Sequence, residues 1–375
     1  MADKGGFPHY MVKEIFEQPQ GLRNTIAPRV FLDEGVVRLD DVRISAEELR
    51  ALRRINIVAS GTSRHAGMAG QYMIQDLADL PVEVDYASEF EYRNPLIGRS
   101  ELTIVITQSG ETADTTAAQR EARAKGSRTV AISNVEGSTI AREADGVLYT
   151  HAGPEISIAS TKAFTAQMAV LFMFAVYLGQ VRGKLSKEQV RSHIRELLDL
   201  PGKVEAVLGC APDCERLADK FHRVQDFLFM GRAIHYPVAM DGALKLKEVS
   251  YVHAEGYQTG ETKHGPNALI DESLPVMIIA TCDRNDAGSV LRYEKSMANI
   301  KGFKQQSGRV IAIASQGDEA LRKLADHTIF VPTATELLLP ILEIVPLQLF
   351  AYYMAVRRGL DVDRPRNLVK SVTRE

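Results

Sequence analysis

Two short polar segments of this 375-residue chain carry side chains suited to holding an anion. They are Gly61-Thr62-Ser63 and Gln108-Ser109-Gly110-Glu111-Thr112, and each follows an apolar run typical of a buried parallel strand. Glycine, hydroxyl and amide groups in such places let backbone N–H groups and side chains converge on a phosphate. The nucleotide P-loop pattern G-x-x-x-x-G-K-[ST] is absent. We therefore predict a phosphate site built from neutral donors: Thr62, Ser63, Gln108, Ser109 and Thr112.

Serine and threonine at the start of a helix also act as N-caps, which is the structural alternative for either segment. Two such segments after two strands favour ligand binding, because ligands of open α/β sheets bind at the carboxyl ends of the strands.

Acid–base chemistry is expected in the second half of the chain. Glu248 follows Lys245 by three residues, so on a helix both project from one face and can pair. Glu248 is the candidate acid or base, and the alternative is a solvated ion pair. His264 lies in the predicted loop Thr262-Lys263-His264-Gly265-Pro266, where an imidazole can transfer a proton near neutral pH or be an ordinary surface residue.

Lys370 is the candidate amine nucleophile. A lysine can form a Schiff base with an open-chain ketone, although a solvated side chain is the usual state of a terminal lysine. Pro365, Leu368 and Val369 precede it and favour a tail docked on the protein.

Alternating strands and helices must position these groups. Apolar strands are predicted at 55–59, 82–86, 102–107, 128–133 and 147–150, and a similar pattern returns about 170–180 residues later. The pattern predicts an α/β fold with two tandem doubly wound parallel-sheet domains, flavodoxin-like three-layer αβα, plus a C-terminal tail. The expected divisions are a linker at 1–40, a first domain at 41–183, a connecting helix at 184–204 broken at Pro201-Gly202, a second domain at 205–358 and the tail at 359–375.

The composition and net charge of the chain argue against several classes of partner. The net charge is −3 and the sequence has no basic stripe, so a nucleic-acid partner is not expected. Three cysteines indicate a reducing, cytoplasmic location without disulfides. No metal site is expected. Cys210 and Cys214 have no further ligands near them in the sequence, and His253, Glu255 and His264 are not spaced like the ligands of a metal site. The N-terminus has no signal-peptide pattern, and the longest apolar runs read as buried helices, so no membrane partner is expected.

The ordered motifs resemble a known family. The segments quoted above, with Ala159-Ser160-Thr161-Lys162-Ala163-Phe164, are similar to sugar isomerase (SIS) domains. Three further stretches, 242–248, 260–266 and 363–373, resemble the isomerase half of the glucosamine-6-phosphate synthase family over nearly the whole chain. This resemblance implies an aldose–ketose isomerase acting on fructose 6-phosphate, a phosphorylated hexose, in amino-sugar biosynthesis, without a cofactor.

The resemblance also implies roles for individual residues. Glu248 would move a proton between sugar carbons with help from Lys245, Lys370 would trap the open-chain sugar, and His264 would open the ring from the neighbouring subunit of a homodimer. Further contacts to the sugar would come from Thr107, Ser160 and Val369.

One part of that family is missing from the sequence. Its members carry an N-terminal glutaminase domain, whereas this chain begins at the corresponding linker. We therefore expect amino transfer, at most, with added free ammonia, and a glutaminase domain or another ammonia source as the partner. Two alternatives stay open. A deglycase or deaminating isomerase of N-substituted 6-phosphosugars would use the same Glu and Lys, and turnover of fructoselysine-type phosphates would identify it. A non-catalytic sugar-phosphate sensor would be stabilised by ligand without turnover.

Overall fold

The computed structural model describes residues 3–373, which fall into two compact units. The first unit contains Glu17–Glu155, Lys162–Pro201 and the tail from Val369 onward. The second unit contains the chain up to Phe16, the short segment Ile156–Thr161 and Gly202–Leu368. The expected domain boundaries remain predictions, and the units used below are those of the structure.

Within residues 3–373 the strands form a two-stranded hairpin and two five-stranded sheets. The strands are β1 (Val30–Phe31), β2 (Val36–Val37), β3 (Arg54–Ala59), β4 (Val82–Tyr86), β5 (Glu101–Thr107), β6 (Arg128–Ser133), β7 (Gly146–Tyr149), β8 (Asp226–Gly231), β9 (His253–Gln258), β10 (Pro275–Ala280), β11 (Arg309–Ser315) and β12 (His327–Val331).

The α-helices lie before β1, between most of the later strands and after β12. They are α1 (Tyr10–Phe16), α2 (Gln18–Ile26), α3 (Ala46–Ala51), α4 (Gly61–Ala78), α5 (Ala87–Phe90), α6 (Ala113–Ala124), α7 (Thr139–Glu143), α8 (Lys162–Val181), α9 (Lys187–Leu208), α10 (Ala211–Phe221), α11 (Tyr236–Ser250), α12 (Ala287–Gln305), α13 (Glu319–Leu324) and α14 (Leu339–Arg357). Short 3₁₀ helices lie at Asp40–Val42, Ala233–His235, Glu261–His264 and Pro266–Leu269.

The sheet of the first unit has the order β4-β3-β5-β6-β7, and every neighbouring pair is parallel. Its central strands are apolar and nearly completely buried, as expected for a sheet covered on both faces. From β3 the chain moves first to β4 on one side and then to β5 on the other. The crevice between the ends of β3 and β5 is therefore the topological switch point, where such sheets bind ligands.

The sheet of the second unit has the equivalent order β9-β8-β10-β11-β12, again entirely parallel. The predicted α/β fold with two doubly wound sheets is confirmed. The sequence analysis missed β9, because this edge strand is half-exposed and has the polar sequence His-Ala-Glu-Gly-Tyr-Gln. Its alternation is too weak to be recognised as a strand pattern.

Among the described residues, two helices are long and apolar enough to be membrane spans by length and composition alone, namely α8 and α14. Within their most apolar windows, 83% and 89% of the residues respectively are buried inside the protein. In the first unit α8 packs on α4, and in the second α14 packs on α11 and α10. They are the core helices of their units, and α14 is buried around most of its circumference rather than amphipathic.

Two local features precede the first five-stranded sheet. β1 and β2 pair antiparallel around the turn Asp33-Glu34-Gly35. Ser45 and Glu48 form a capping box at the start of α3.

The predicted break at Pro201 was wrong, because α9 continues through this proline. The apolar residues Val190, Ile194, Leu197 and Val204 are all buried along this helix, and their packing outweighs the hydrogen bond that proline removes.

Candidate functional site

The first polar segment lies where β3 meets α4. The helix begins at Gly61, and Ser60 at its N-cap position makes no side-chain capping bond. Thr62 and Ser63 are buried in the first turn. The Gln167 side-chain amide, from α8, donates a hydrogen bond to Ser63 Oγ over 3.0 Å. This contact fixes the serine at the N-terminus of an 18-residue helix, whose dipole favours an anion.

The second polar segment connects β5 to α6. The hydroxyl oxygens of Thr107 and Thr112 are 2.9 Å apart, and Ser109 Oγ accepts the Glu111 N–H at 3.2 Å. Gly110 has φ of +72°, and an added Cβ would lie 2.0 Å from Ser138 Oγ. Only glycine fits there, because the backbone is left-handed and passes directly against the serine.

The two polar segments lie side by side. β3 and β5 are hydrogen-bonded neighbours, with Ala59 opposite Ile106, so both segments leave the sheet at its switch point. Thr112 occupies the N-cap position of α6 but makes no side-chain capping bond. The capping alternative therefore does not describe Thr112, whose hydroxyl contacts Thr107 instead.

The C-terminal tail packs against the second polar segment. The backbone N–H of Ala113, in the first turn of α6, donates to the Val372 carbonyl oxygen at 3.0 Å. Lys370 Nζ lies 2.8 Å from Glu155 Oε2, and its side chain is 26% exposed. The structure thus brings Lys370 into the unit that holds the two polar segments. Val369 belongs to the same docked stretch, with 65% of its surface exposed.

Glu155 was not identified from the sequence. It lies between β7 and α8, its side chain is completely buried, and its Oε1 accepts the Ala163 N–H at 3.1 Å. No sequence motif indicates a role for Glu155, because its partner Lys370 is 215 residues away in the sequence.

The candidate acid–base pair lies in the second unit, on α11. Lys245 Nζ is 2.5 Å from Glu248 Oε2. The Lys245 side chain is fully buried, and that of Glu248 is 21% exposed. The alternative for these two residues was an ion pair exposed to solvent. The burial of the Lys245 ammonium does not agree with that alternative.

His264 and Ser160 also lie in the second unit. His264 is exposed at the end of the 3₁₀ helix Glu261–His264. That helix is anchored by Thr262, whose hydroxyl donates to the Thr259 carbonyl oxygen at 2.9 Å. Ser160 is half-buried in the segment Ile156–Thr161. The predicted residues are therefore divided: the polar segments, Val369 and Lys370 belong to the first unit, and Ser160, Lys245, Glu248 and His264 to the second.

The strand ends of the second sheet hold a buried ionic network that the sequence analysis also missed. His235, after β8, is fully buried, with Nδ1 at 2.7 Å from Glu343 Oε1 and Nε2 at 2.9 Å from Glu336 Oε1. Arg292 of α12 contacts both Glu336 oxygens, at 2.6 and 3.0 Å, and Ser289 Oγ donates to the same carboxylate at 2.5 Å. The Thr281 hydroxyl, after β10, donates to Glu343.

The network shifts the protonation of its members. Burial disfavours the charged imidazole, but the negative charge of Glu343 and the hydrogen bonds that the imidazole donates to both carboxylates outweigh it and raise the pKa of His235. Burial alone would raise the pKa of Glu336, yet His235 and Arg292 hold it well below its usual range. A carboxylate thus occupies the region that, in the first sheet, is lined by neutral donors.

The cysteines have no ligand-like arrangement. All three are free and buried, and the Cys210 and Cys214 sulfurs are 3.7 Å apart. Burial, together with Cys210, raises the pKa of the Cys214 thiol well above its usual value. Within residues 3–373 no group of three or more His, Cys, Asp or Glu side chains is arranged to hold a metal ion.

The chain is similar to proteins of known family. The SIS domain family model matches residues 48–177 and 220–358. The glutamine–fructose-6-phosphate aminotransferases (isomerizing) of Chlorobaculum tepidum and Thermus thermophilus are each 50% identical to it, over 373 and 374 residues. These alignments cover all of this chain but 59% and 60% of the relatives, so the chain spans about three fifths of their length.

A solved structure agrees with these matches. The C-terminal domain of glucosamine-fructose-6-phosphate aminotransferase from Francisella tularensis superposes with a TM-score of 0.90 at 34% identity, covering 97% of this chain and 100% of that one. The two matched segments each contain one of the five-stranded sheets described above. The chain belongs to the SIS domain family and contains two copies of that domain.

Proposed function

We propose that this chain is an aldose–ketose isomerase module of the glucosamine-6-phosphate synthase type, acting on fructose 6-phosphate. The single observation that carries the proposal is the docking of the tail. The Ala113–Val372 hydrogen bond holds the amine-bearing segment in the unit that contains the polar segments. A phosphate-binding loop and a candidate Schiff-base lysine in one unit suit a phosphorylated ketose.

Neutral groups of the two polar segments bind the phosphate. The hydroxyl and amide donors are Thr62, Ser63, Gln108, Ser109 and Thr112, with Thr107 supporting Thr112 at 2.9 Å. Backbone N–H groups in the first turns of α4 and α6, apart from the Ala113 N–H bound to Val372, add to them, because neither helix has a side-chain N-cap. Ser160 and Val369 are proposed to contact the sugar.

The isomerisation itself requires ring opening and proton transfer between C1 and C2. Glu248 is the proposed proton carrier, positioned by Lys245 at 2.5 Å. Lys370 is the proposed nucleophile that traps the open-chain ketone. His264 is proposed to open the ring of a sugar bound to a second copy in a homodimer, and its exposure on a well-anchored 3₁₀ helix suits donation to a neighbour.

Amino transfer is the second part of the proposal. The relatives are named aminotransferases and are longer than this chain. We expect glucosamine 6-phosphate to form when free ammonia or a glutaminase supplies the nitrogen, and we expect this work to be cytoplasmic.

The test is a coupled assay on the purified chain. Fructose 6-phosphate is supplied, and glucose 6-phosphate is detected with its NADP-linked dehydrogenase. Glucosamine 6-phosphate is measured with and without ammonium chloride. We expect glucose 6-phosphate in both conditions and amino sugar only with ammonium. Absence of turnover in either direction would reject the proposal, and ligand-induced thermal stabilisation without turnover would favour a sensor.

A further inference from the structure

An ion pair between Glu155 and Lys370 joins the C-terminal tail to the segment before α8. The glutamate side chain is completely buried, whereas the lysine is partly accessible, and their charged atoms are 2.8 Å apart. A carboxylate is rarely buried without a specific reason, because removing its charge from water is costly. This one is satisfied on both oxygens, by Lys370 on Oε2 and by the Ala163 N–H on Oε1.

The surroundings of Glu155 hold it in place. Ala163 lies in the first turn of α8, a 20-residue helix whose positive N-terminal end stabilises a nearby anion. The loop before Glu155 is tied down by Asn134: its Oδ1 accepts the Ala152 N–H at 2.9 Å, and its Nδ2 donates to the Gly153 carbonyl oxygen at 2.8 Å. These contacts hold the Glu155 carboxylate in a defined position.

The lysine is held from the other side as well. Two residues beyond Lys370, the Val372 carbonyl oxygen is bound by the N–H of Ala113, immediately after the polar segment that ends at Thr112. Lys370 thus lies between two contacts: its own ion pair with the buried Glu155 carboxylate and the backbone hydrogen bond of Val372 at the start of α6. This arrangement orients Nζ while leaving 26% of its side chain accessible.

We propose that Glu155 is the positioning residue of Lys370 and accepts its proton when the amine attacks the sugar. This inference rests on the proposed function, because it assumes that Lys370 forms a Schiff base with fructose 6-phosphate. It adds a named residue and a proton route to that step.

The Lys370 ammonium gives one proton to the Glu155 carboxylate, and the freed lone pair forms a bond to the C2 carbonyl carbon. The carbonyl π electrons move to the oxygen, which takes up a second ammonium proton. Glu155 returns its proton to this hydroxyl, which leaves as water while the nitrogen lone pair forms the protonated imine. Overall, an ammonium and a ketone give an iminium ion and water, and Glu155 ends as it began.

The experiment measures Schiff-base trapping and ligand binding separately on the full chain. Trapping is the rate at which sodium borohydride reduces the adduct with fructose 6-phosphate, followed by mass spectrometry at Lys370. Binding is measured by calorimetry with glucitol 6-phosphate, which has the phosphate but no carbonyl. The variants are Glu155→Gln, Glu155→Asp and the control Glu17→Gln. Glu17 pairs with buried Lys162 at 2.7 Å, so the control breaks another ion pair at the start of α8 without touching Lys370.

We expect Glu155→Gln to trap at least 10-fold more slowly than the wild type and Glu155→Asp to fall in between. Glucitol 6-phosphate binding should change less than 3-fold in each variant, and Glu17→Gln should trap at the wild-type rate. A purely structural role would lower binding and trapping together, which would overturn the inference. Trapping by Glu155→Gln at the wild-type rate would overturn it equally.

Two further outcomes are decisive. If Glu155→Gln does not fold, Glu155→Asp decides the question, because it keeps the charge but withdraws the carboxyl by one methylene. Wild-type trapping by that variant contradicts the inference. If the wild type itself yields no adduct at Lys370, the Schiff-base step of the proposed function fails, and the role of Glu155 fails with it. The wild-type arm therefore distinguishes the two failures.

Discussion

The carbonyl oxygen of Val372 accepts a hydrogen bond from the backbone N–H of Ala113 at 3.0 Å, although 259 positions separate the two residues in the sequence. This bond fills one of the unpaired N–H groups at the start of α6, next to the polar segment Gln108–Thr112. The segment of the tail from Val369 onward is thus part of the first unit, and its chemistry can be tested there.

Removing the Lys370 amine should separate covalent trapping from binding. We expect Lys370→Ala to abolish borohydride trapping of fructose 6-phosphate, because the variant has no nucleophile there, while glucitol 6-phosphate binding changes less than about 3-fold. Lys184→Ala is the control, since Lys184 is an exposed lysine of the same unit paired with Asp79. Persistent trapping in Lys370→Ala would assign the nucleophile elsewhere.

The polar segment after β5 depends on Gly110. We expect Gly110→Ala to weaken phosphosugar binding at least 10-fold, because the new Cβ would overlap Ser138 and displace the loop. Gly137→Ala is the matched control, since Gly137 also has a positive φ, +67°, but open space around it. The left-handed backbone costs ~1–2 kcal/mol in either variant. Equal binding losses in the two variants would show that overlap with Ser138 is unimportant.

Proton transfer should depend on Glu248. We expect Glu248→Gln to lower the isomerisation rate by roughly 10²–10⁴-fold, the usual contribution of a general acid–base group, with little change in glucitol 6-phosphate binding. The coupled assay and calorimetry measure the two quantities. Glu294→Gln, at an exposed glutamate of α12, is the control and should retain full activity. A Glu248→Gln variant that isomerises normally would remove Glu248 from the mechanism.

The buried network of the second unit should control stability. We expect Glu336→Gln to lower the free energy of unfolding by ~3–5 kcal/mol, because it leaves Arg292 and His235 without their shared carboxylate. Glu319→Gln removes only an exposed pair with Arg322 and should cost less than ~1 kcal/mol. Urea unfolding measures both changes. Comparable losses in the two variants would mean that the network contributes no more than a surface pair.

The same network predicts a pH dependence of the unfolding free energy. The pKa of His235 is raised, so its contribution is complete below its ordinary value of 6.5 and is lost as the pH rises through the folded-state value. The pKa of Glu336 is lowered, so its contribution is complete above 4.5 and is lost as the pH falls toward the folded-state value. The groups that face His235 are Glu336, Glu343 and Arg292. Stability from the network should therefore peak between these limits, and a His235→Asn variant should lack the loss on the alkaline side.

The sequence predicted most of the fold because buried parallel strands are continuous apolar runs. Two elements were not predicted correctly, and each has a local physical cause. β9 is a polar edge strand, and Pro201 is tolerated because apolar packing along α9 outweighs one lost hydrogen bond.

The candidate site was only partly predictable. The polar segments stand out because their residues are contiguous, and Lys245 and Glu248 because they share one helical face. Glu155 and the His235 network could not be found in this way, since each depends on contacts between residues far apart in the chain, such as Glu155 with Lys370 and His235 with Glu336.

The two SIS copies differ in what their core helices present to the strand ends. α8 reaches Ser63 through the neutral amide of Gln167, whereas α14 reaches His235 through the carboxylate of Glu343. An incoming phosphate at the second copy would meet Glu343 and Glu336, with Arg292 and His235 already neutralised by them. The carboxylates of Glu343 and Glu336 therefore disfavour an anion at the strand ends of the second copy. The expected stoichiometry is one phosphosugar per polypeptide rather than two.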